Sequence, residues 1–587
     1  MPADSALPDA RETEAAGIAA PGRRSGGRAL VDALRLHGAD RVFCVPGESF
    51  LDVLDALHDQ PAIELVVCKH EGAAANMAEA DGKLTGRPGI CFVTRGPGAT
   101  HASIGVHIAA QDSTPMILFI GQIARGHMGR EAFQEVDYTA MFGGMAKWVA
   151  QIDDPERIPE LVARAFQCAT SGRPGPVVLA LPEDVLDGLC ECADAAPYRP
   201  VVAAPSQDDA EALRAALAAA ERPLVIAGGA NWSAAGAADF AAFVKAWDLP
   251  VACAFRRQDV FDNRDAHYAG HLSLGMNPRL AQRVRDADLI LAFGTRLGDI
   301  ATDGYQLLTP PRPRQRLVHV HADSGELGRV YQPELAIQAG IGPGARMLAA
   351  LAAPPSPRWA EWTRAARADH VAFSAPVAPN AQARGVDLCQ VMQHLDQTLP
   401  GDAILSNGAG NYTVWLHRFF AYRQPRTELA PTCGAMGYGL PAAIAAKLRA
   451  PQRTVVCFAG DGCFQMYPQE LATAAEAGAN VIVVLVNNGM YGTIRMHQAR
   501  RYPGRVSGTG IRNPDFVAMA RACGAWAERV EHADGFAGAF DRARAAGTPA
   551  VIELMTDPRQ ITPAMWVEEC GVAEQVVKRV AVSGNSR

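Results

Sequence analysis

At 587 residues the chain is too long for a single hydrophobic core and points to three or four domains. Its 49% hydrophobic and 20% charged content is ordinary for a globular protein, and a net charge of −7 speaks against a nucleic-acid footprint or a basic membrane-binding surface. No apolar run reaches the length of a membrane span, and Met1 to Gly27 lacks an apolar signal core.

Residues 1–26, rich in Ala, Pro and charge, read as a disordered lead-in. Residues 27–195 alternate helix and strand signals, with apolar runs at Arg41–Val45, Glu64–Cys68, Gly89–Val93, Met116–Ile120 and Pro176–Ala180, the pattern of a parallel α/β domain. Tyr198 to Pro205 is a linker. Residues 206–352 form a second α/β unit, with strands predicted at Pro223–Gly228, Val251–Phe255, Leu289–Phe293 and Leu317–His321. A Pro/Ala/Arg-rich linker follows over 353–384, then a third α/β domain over 385–570 and a tail over 571–587. Thirteen cysteines are scattered, several inside apolar runs (Cys44, Cys91, Cys457). Cys190 and Cys192 are the only close pair and have no partners at zinc spacing, so the cysteines read as reduced thiols of a cytoplasmic protein.

The third domain carries the most informative stretch. Thr454–Gly460 is a short, mostly β-branched run that stops at glycine, and Gly460-Asp461-Gly462 opens the segment after it. Pro468, Gln469 and Glu470 fit a first helical turn, and Asn480 to Asn488 reads as a second buried strand. A strand–helix–strand unit of this length is parallel and right-handed. Both strand ends then lie on the sheet edge where ligands of open α/β sheets bind, which makes Asp461 and Asn488 neighbours. A carboxylate, an amide oxygen and a backbone carbonyl are hard ligands suited to Mg²⁺ that keeps phosphate oxygens in its remaining positions. Gly460 and Gly462 let backbone approach a phosphate, and the following helix offers free N–H groups.

In the first domain, Cys68-Lys69-His70-Glu71-Gly72 places Glu71 where a strand passes into an Ala-rich helix. Thr94-Arg95-Gly96-Pro97-Gly98 follows a strand, and Gln111-Asp112-Ser113-Thr114-Pro115 and Gly129 to Asp137 come after it. Together with the third-domain motif, these segments resemble the acetolactate synthase/pyruvate oxidase branch of thiamine-diphosphate (ThDP) enzymes, most closely the acetolactate synthase large subunit, from about residue 28 to about 565.

The resemblance implies three doubly wound parallel-sheet α/β domains: pyrimidine-binding, central Rossmann-like and diphosphate-binding. It implies ThDP and Mg²⁺ as cofactors, with Asp461, Asn488 and the Met490 carbonyl as metal ligands. Ala409, Gly410, Asn411 and Tyr412 match the loop on the diphosphate, with Asn411-Tyr412 in place of the usual Gln-His. Gly434, Met436, Cys463 and Tyr491 complete the cofactor set, Met436 being the wedge that bends ThDP. Glu71 matches the glutamate that activates the cofactor: ThDP chemistry needs a carboxyl group on the aminopyrimidine, and a Glu in an apolar setting holds its proton near neutral pH. Gly98, Phe133, Gln134 and Lys147 match residues at the substrate entrance. In the central domain, Gly228-Gly229-Ala230 and Asp323 are compatible with FAD, with ADP, or with an empty site. The implied assembly is a homodimer or a dimer of dimers.

Two departures bear on substrate. An arginine of the central domain holds the carboxylate of the second 2-keto acid in acetolactate synthases; here Ile300 stands at its position. A tryptophan that selects the larger keto acid is replaced by His497, which helical spacing puts on one face with Ile494 and Gln498. Neither Arg296 nor Arg495 is assigned the lost role by the sequence. The expected activity is acetolactate-synthase-like carboligation of a 2-keto acid donor such as pyruvate through an enamine/carbanion intermediate, with weak use of a second keto acid and better use of an acceptor lacking a carboxylate, such as an aldehyde or simply a proton. The alternatives are a 2-keto acid decarboxylase or 2-hydroxyacyl lyase and, after these, a ThDP-binding subunit without turnover.

Overall fold

The computed structural model of the chain describes residues 22–378 and 383–567. The lead-in up to residue 21, the tail over 571–587 and part of the second linker lie outside the described residues. Three six-stranded sheets, each wholly parallel and flanked by helices, organise the rest. Their central strands are buried on both faces, as in Gly89–Val93, Leu289–Phe293 and Ile482–Asn487, which is why they read as unbroken apolar runs.

The first and third sheets share one topology. In the first, the strands run from edge to edge as Glu64–Val67, Arg41–Cys44, Gly89–Val93, Met116–Gln122, Pro176–Pro182, Trp148–Gln151. In the third they run as Glu428–Leu429, Ile404–Asn407, Val455–Gly460, Ile482–Asn487, Ala550–Met555, Trp526–Val530. The order of both is second, first, third, fourth, sixth, fifth. The central sheet differs: Tyr268–Leu272, Val251–Ala254, Pro223–Ala227, Leu289–Phe293, Arg316–His321, Leu335–Gln338. That is the third, second, first, fourth, fifth, sixth order of a dinucleotide-binding sheet.

The first and third domains share one core. Helix Glu71–Thr85 lies against helix Gly439–Arg449, and both are rich enough in Ala and Gly for close approach. Lys83 sits between Asp112 at 2.5 Å and Glu79 at 3.2 Å, and Tyr438 donates its hydroxyl to Glu79. Arg449 clasps Asp81 and Asp40. Removing one partner of such a buried set leaves an unpaired charge, at a cost of about 3–5 kcal/mol.

Two expectations change. The lead-in does not extend to residue 26: Arg24–Ser25 pairs antiparallel with Leu189–Cys190, and Ser25 caps a helix that begins at Gly26. The segment 353–384 is not a plain linker, since Ala360–Ser374 is a helix. Its Pro and Arg content hides two docking tryptophans: Trp359 donates to the Trp247 carbonyl and Trp362 to that of Pro223. In the third domain a four-residue helix, Asp461–Phe464, directly follows the strand, and the longer one starts at Glu470. No helix among the described residues is long and apolar enough to cross a membrane.

Candidate active site

A cavity of about 600 Å³ opens at the carboxyl edge of the third sheet, where strand order reverses between Ile404–Asn407 and Val455–Gly460. Ala409, Gly410, Asn411 and Tyr412 line it from the first of these strands, and Gly460, Asp461, Gly462 and Cys463 from the second. Asn488, Met490 and Tyr491 enter from the next strand, and Gly434 and Met436 from the loop before helix Gly439–Arg449. The third-domain residues that the sequence singles out for the cofactor thus converge on one space.

Asp461 is 2% exposed. Its Oδ1 accepts from Gly462 N at 2.8 Å, and its Oδ2 from Gly489 N at 2.8 Å and from Asn513 Nδ2 at 2.7 Å. Among the described residues no cationic side chain pairs with it. Burial therefore pushes its carboxyl above the usual range, against the pull of those hydrogen bonds. Asn488 is half-buried and accepts from Met490 N at 3.1 Å. Met490 bridges to Gly510, and Tyr491 N donates to Thr509 O, so a second loop braces the Asn488–Tyr491 turn.

The departure at Asn411-Tyr412 has a structural account. Tyr412 folds back under its own loop: its hydroxyl accepts from Gly408 N at 3.1 Å and reaches Cys463 Sγ at 3.4 Å. Cys463 Sγ in turn accepts from Gly437 N at 3.2 Å. The strut ties three cavity loops together. It also requires glycine at 460, where a Cβ would stand 2.8 Å from Tyr412 Cδ1. Asn411 bonds Thr493 Oγ1 at 2.9 Å instead of facing into the strut. Gly434, with φ at +70° and open space beside it, leaves room for a ligand next to Met436.

From the first domain, His107 and Gln111 line this cavity, and Glu71, Gly98 and Gln134 do not. Those three lie together elsewhere. Glu71 Oε2 is 2.8 Å from His101 Nδ1, and Oε1 is 3.6 Å from where a Cβ on Gly98 would stand. Gln134, at φ +66°, packs on Gly96, and Phe133 beside it is 74% exposed. Lys147 does not join this group: its Nζ donates to the Ser171 carbonyl at 2.6 Å, and it lines a separate cavity with Arg173 and Asp323.

On the substrate side, Ile300 lines the 600 Å³ cavity with Phe255, Arg256 and Leu274. His497 departs from expectation: it is exposed and does not line the cavity, whereas Ile494 of the same helix does. Gln498, on the expected shared face, is held outward by Ser507 O at 2.6 Å. A second cavity of about 350 Å³ lies at the reversal point of the central sheet, lined by Gly229, Ala230, Thr295, Arg296 and His321. Asp323 lies outside it and accepts from Gly325 N at 2.8 Å.

Three residues went unnoticed in the sequence. Asn513 bonds both Asp461 and Asn487, and no motif marks it. His101 reaches Glu71 from one turn into the next helix. Arg256 had a signal, since Arg256-Arg257 directly follows a buried strand on the binding edge of a parallel sheet.

The comparisons agree with this architecture. The chain matches the families described as Thiamine pyrophosphate enzyme, N-terminal TPP binding domain, over residues 24–141; central domain, over 210–351; and C-terminal TPP binding domain, over 408–554. It is 32% identical to the acetolactate synthase large subunit of Corynebacterium glutamicum, over 93% of this chain and 89% of that one. It is 34% identical to the acetolactate synthase large subunit of Parasynechococcus marenigrum, over 86% and 83%. With the acetolactate synthase isozyme 2 large subunit of Escherichia coli the identity is 29%, over 91% and 96%. The chain belongs to the thiamine pyrophosphate enzymes and, among them, to the acetolactate-synthase-like group.

Proposed function

We propose that the protein is a ThDP- and Mg²⁺-dependent carboligase that takes a 2-keto acid donor such as pyruvate and joins its acyl fragment to a carbonyl acceptor. The observation that carries this reading is Asp461: a buried carboxylate with no cationic partner among the described residues, beside Asn488 and the Met490 turn. A divalent cation supplies the missing positive charge, and these hard oxygen donors suit Mg²⁺. The 600 Å³ cavity falls in the usual range for cofactor sites and adjoins Gly434 and Met436, which leave space for and support a bent heterocycle.

When bound, ThDP supplies a thiazolium carbon that adds to a keto group and stabilises the charge left by decarboxylation. The chain's own residues then divide the work. Glu71 holds or shares a proton on the aminopyrimidine through one carboxylate oxygen while His101 fixes the other. Asp461 and Asn488 hold the cation that neutralises the diphosphate. Met436 fills the space behind the heterocycle, and His107 and Gln111 close the wall on the first-domain side.

Since Glu71 does not line the Asp461 cavity of its own chain, we propose that a complete site takes Glu71 from one subunit and Asp461 from another, in a homodimer or a dimer of dimers. The reversal-point cavity of the central sheet is the proposed nucleotide site, and flavin absorbance of the purified protein separates FAD from ADP or from an empty site. With the strand Arg24–Ser25 and the docked helix Ala360–Ser374 included, the proposed domain limits become 24–195, 206–374 and 385 onward, and the proposed compartment is the cytoplasm. Every cysteine among the described residues is a free thiol, which supports a reducing compartment.

A second reading, a 2-keto acid decarboxylase or 2-hydroxyacyl lyase, is favoured by one observation: Ile300 puts an apolar side chain on the cavity wall. Product analysis with pyruvate, with and without a second keto acid or an aldehyde, separates the readings. Both release CO₂ from pyruvate; a carboligase then yields an acetohydroxyacid or a hydroxyketone, and a decarboxylase yields acetaldehyde with no carbon–carbon-joined product.

A further inference from the structure

Position 300 cannot hold an anion, and the arginines close to it or to the helix after Asn488 are no substitute. Arg296 donates to the Gln111 carbonyl at 2.7 Å and lines the central cavity instead. Arg257 donates to the Asp112 carbonyl and lines the same central cavity. Arg495 does not line the 600 Å³ cavity.

Arg256 does. Among the described residues it is the only lysine or arginine lining that cavity, which Ile300 also lines. It is 2% exposed, and no carboxylate among the described residues pairs with it. Its Nη2 donates to Gly408 O at 2.7 Å and its Nη1 to Pro431 O, while Nε has no partner. A guanidinium carries five N–H donors, and these contacts use two. The side chain lies over the Phe255 ring at 4.9 Å, and its backbone is held at φ +55°, a conformation a non-glycine residue rarely adopts. Its direct hydrogen-bond partners are two carbonyls, with the carboxylates of Asp112 and Glu428 acting on it without pairing, so an anion in the cavity would give this buried cation its first direct charged partner.

We propose that Arg256 receives the anionic end, a carboxylate, of the second substrate in this cavity, the role Ile300 cannot fill. This rests on the ThDP-dependent reading of the cavity, and it reverses the expectation of an acceptor without a carboxylate. The guanidinium matches a carboxylate with two parallel N–H donors. Its contacts to Gly408 and Pro431 hold it in place ahead of binding, so little ordering is left to do when the anion arrives.

The test uses the full-length protein loaded with ThDP and Mg²⁺, as wild type, Arg256→Gln and Arg256→Lys. With pyruvate as donor, kcat/KM is compared for 2-ketobutyrate and for propanal, which differ by the carboxylate. Arg256→Gln is expected to lose roughly 10- to 100-fold with 2-ketobutyrate, mainly through KM, the scale of a hydrogen-bonded charge pair. Because its contacts to Gly408 and Pro431 brace loops around the cofactor, the readout is the ratio of the two acceptors: Arg256→Gln lowers kcat/KM for 2-ketobutyrate about ten-fold or more beyond any loss with propanal, and Arg256→Lys recovers part of that difference. Equal losses with both acceptors make Arg256 a structural prop and overturn the proposal. Calorimetric binding of 2-hydroxyisobutyrate, a carboxylate that cannot react as a keto acid, reads the site without turnover. If neither acceptor gives product but this binding weakens in Arg256→Gln, the carboligase reading fails and the Arg256 assignment stands. Equal binding to wild type and variant overturns the assignment.

Discussion

His101 Nδ1 lies 2.8 Å from Glu71 Oε2, joining the start of one helix to the first turns of the next. Oε1 is left facing Gly98. His70 stacks on the His101 ring at 4.7 Å, and its own Nδ1 is taken by Gly72 N. The carboxylate is therefore oriented by one imidazole and walled by another, with one oxygen available. Glu71→Gln is expected to lower kcat by ~10²–10⁴-fold at saturating ThDP, the usual worth of general acid–base catalysis, with cofactor affinity and melting temperature unchanged. His101→Phe, which keeps the bulk but not the bond, is expected to lower kcat less than Glu71→Gln does. Near wild-type turnover in Glu71→Gln removes the glutamate from the mechanism.

Asp461 is a buried carboxylate without a cationic partner among the described residues. Asp461→Ala is expected to abolish the Mg²⁺ dependence of ThDP binding, because the diphosphate loses its clamp. Asn513→Ala removes a hydrogen bond to Asp461 at 2.7 Å and is expected to weaken ThDP binding less. Calorimetric ThDP titrations with and without a chelator check both. Affinity unchanged by Asp461→Ala under both conditions would count against the metal site.

What could be read ahead of the structure follows from where each signal resides. Strands buried on both faces carry their signal locally, and Gly89–Val93 and Leu289–Phe293 keep the ends expected for them. The edge strand Trp148–Gln151 is half-buried along its length, and Tyr268–Leu272 contains Gly and His, so neither stands out as an apolar run. Asp461, Asn488 and Met436 were legible because each sits beside a strong strand or helix signal. Asn513 and His101 act through pairings that only the tertiary fold creates. His497 misses the cavity although helical spacing puts it near Ile494: Ile494 lies in the first turn of helix Gly492–Arg501, and His497 comes one turn further along, where it is exposed. Ile494, three residues earlier, takes the cavity side.

Glu470 gives the contact between first and third domains a pH dependence. It is buried, accepts from Lys69 N through both oxygens, and so anchors the turn that carries Glu71 to the third domain. Burial pushes its carboxyl up to about 7, from an ordinary value of 4.5. Between those values the folded protein keeps a proton that the unfolded chain has released, so this residue's contribution to stability falls as pH rises from about 4.5 to about 7 and levels off above that. Glu470→Gln keeps an acceptor for Lys69 N and removes the titration. The wild-type melting temperature is expected to drop relative to that of the variant between about pH 4.5 and about pH 7, and to run parallel to it above that. Parallel pH profiles for the two proteins would contradict the role given to Glu470.

The proposed function requires both Glu71 and Asp461, yet Glu71 does not line the cavity around Asp461 within one chain. Helix Glu71–Thr85 is locked to helix Gly439–Arg449 of its own chain by the Lys83–Glu79–Tyr438 and Arg449–Asp81 contacts, so a swing of the first domain that carried Glu71 across would break buried charge pairs. In the proposed dimer, two chains related by a two-fold axis each supply the missing half of the other's site. Glu71→Gln and Asp461→Ala are each expected to be inactive as pure proteins. When the two are co-expressed, a mixed dimer holds one site with both residues intact and one with neither. Random pairing makes half the dimers mixed, so activity is expected to recover to roughly a quarter of wild type, with each mixed dimer carrying one good site of two. Analytical ultracentrifugation at assay concentration should show no active monomer. If co-expression restores nothing although mixed dimers are isolated, the site is built within one chain, and the first domain must move to reach Asp461.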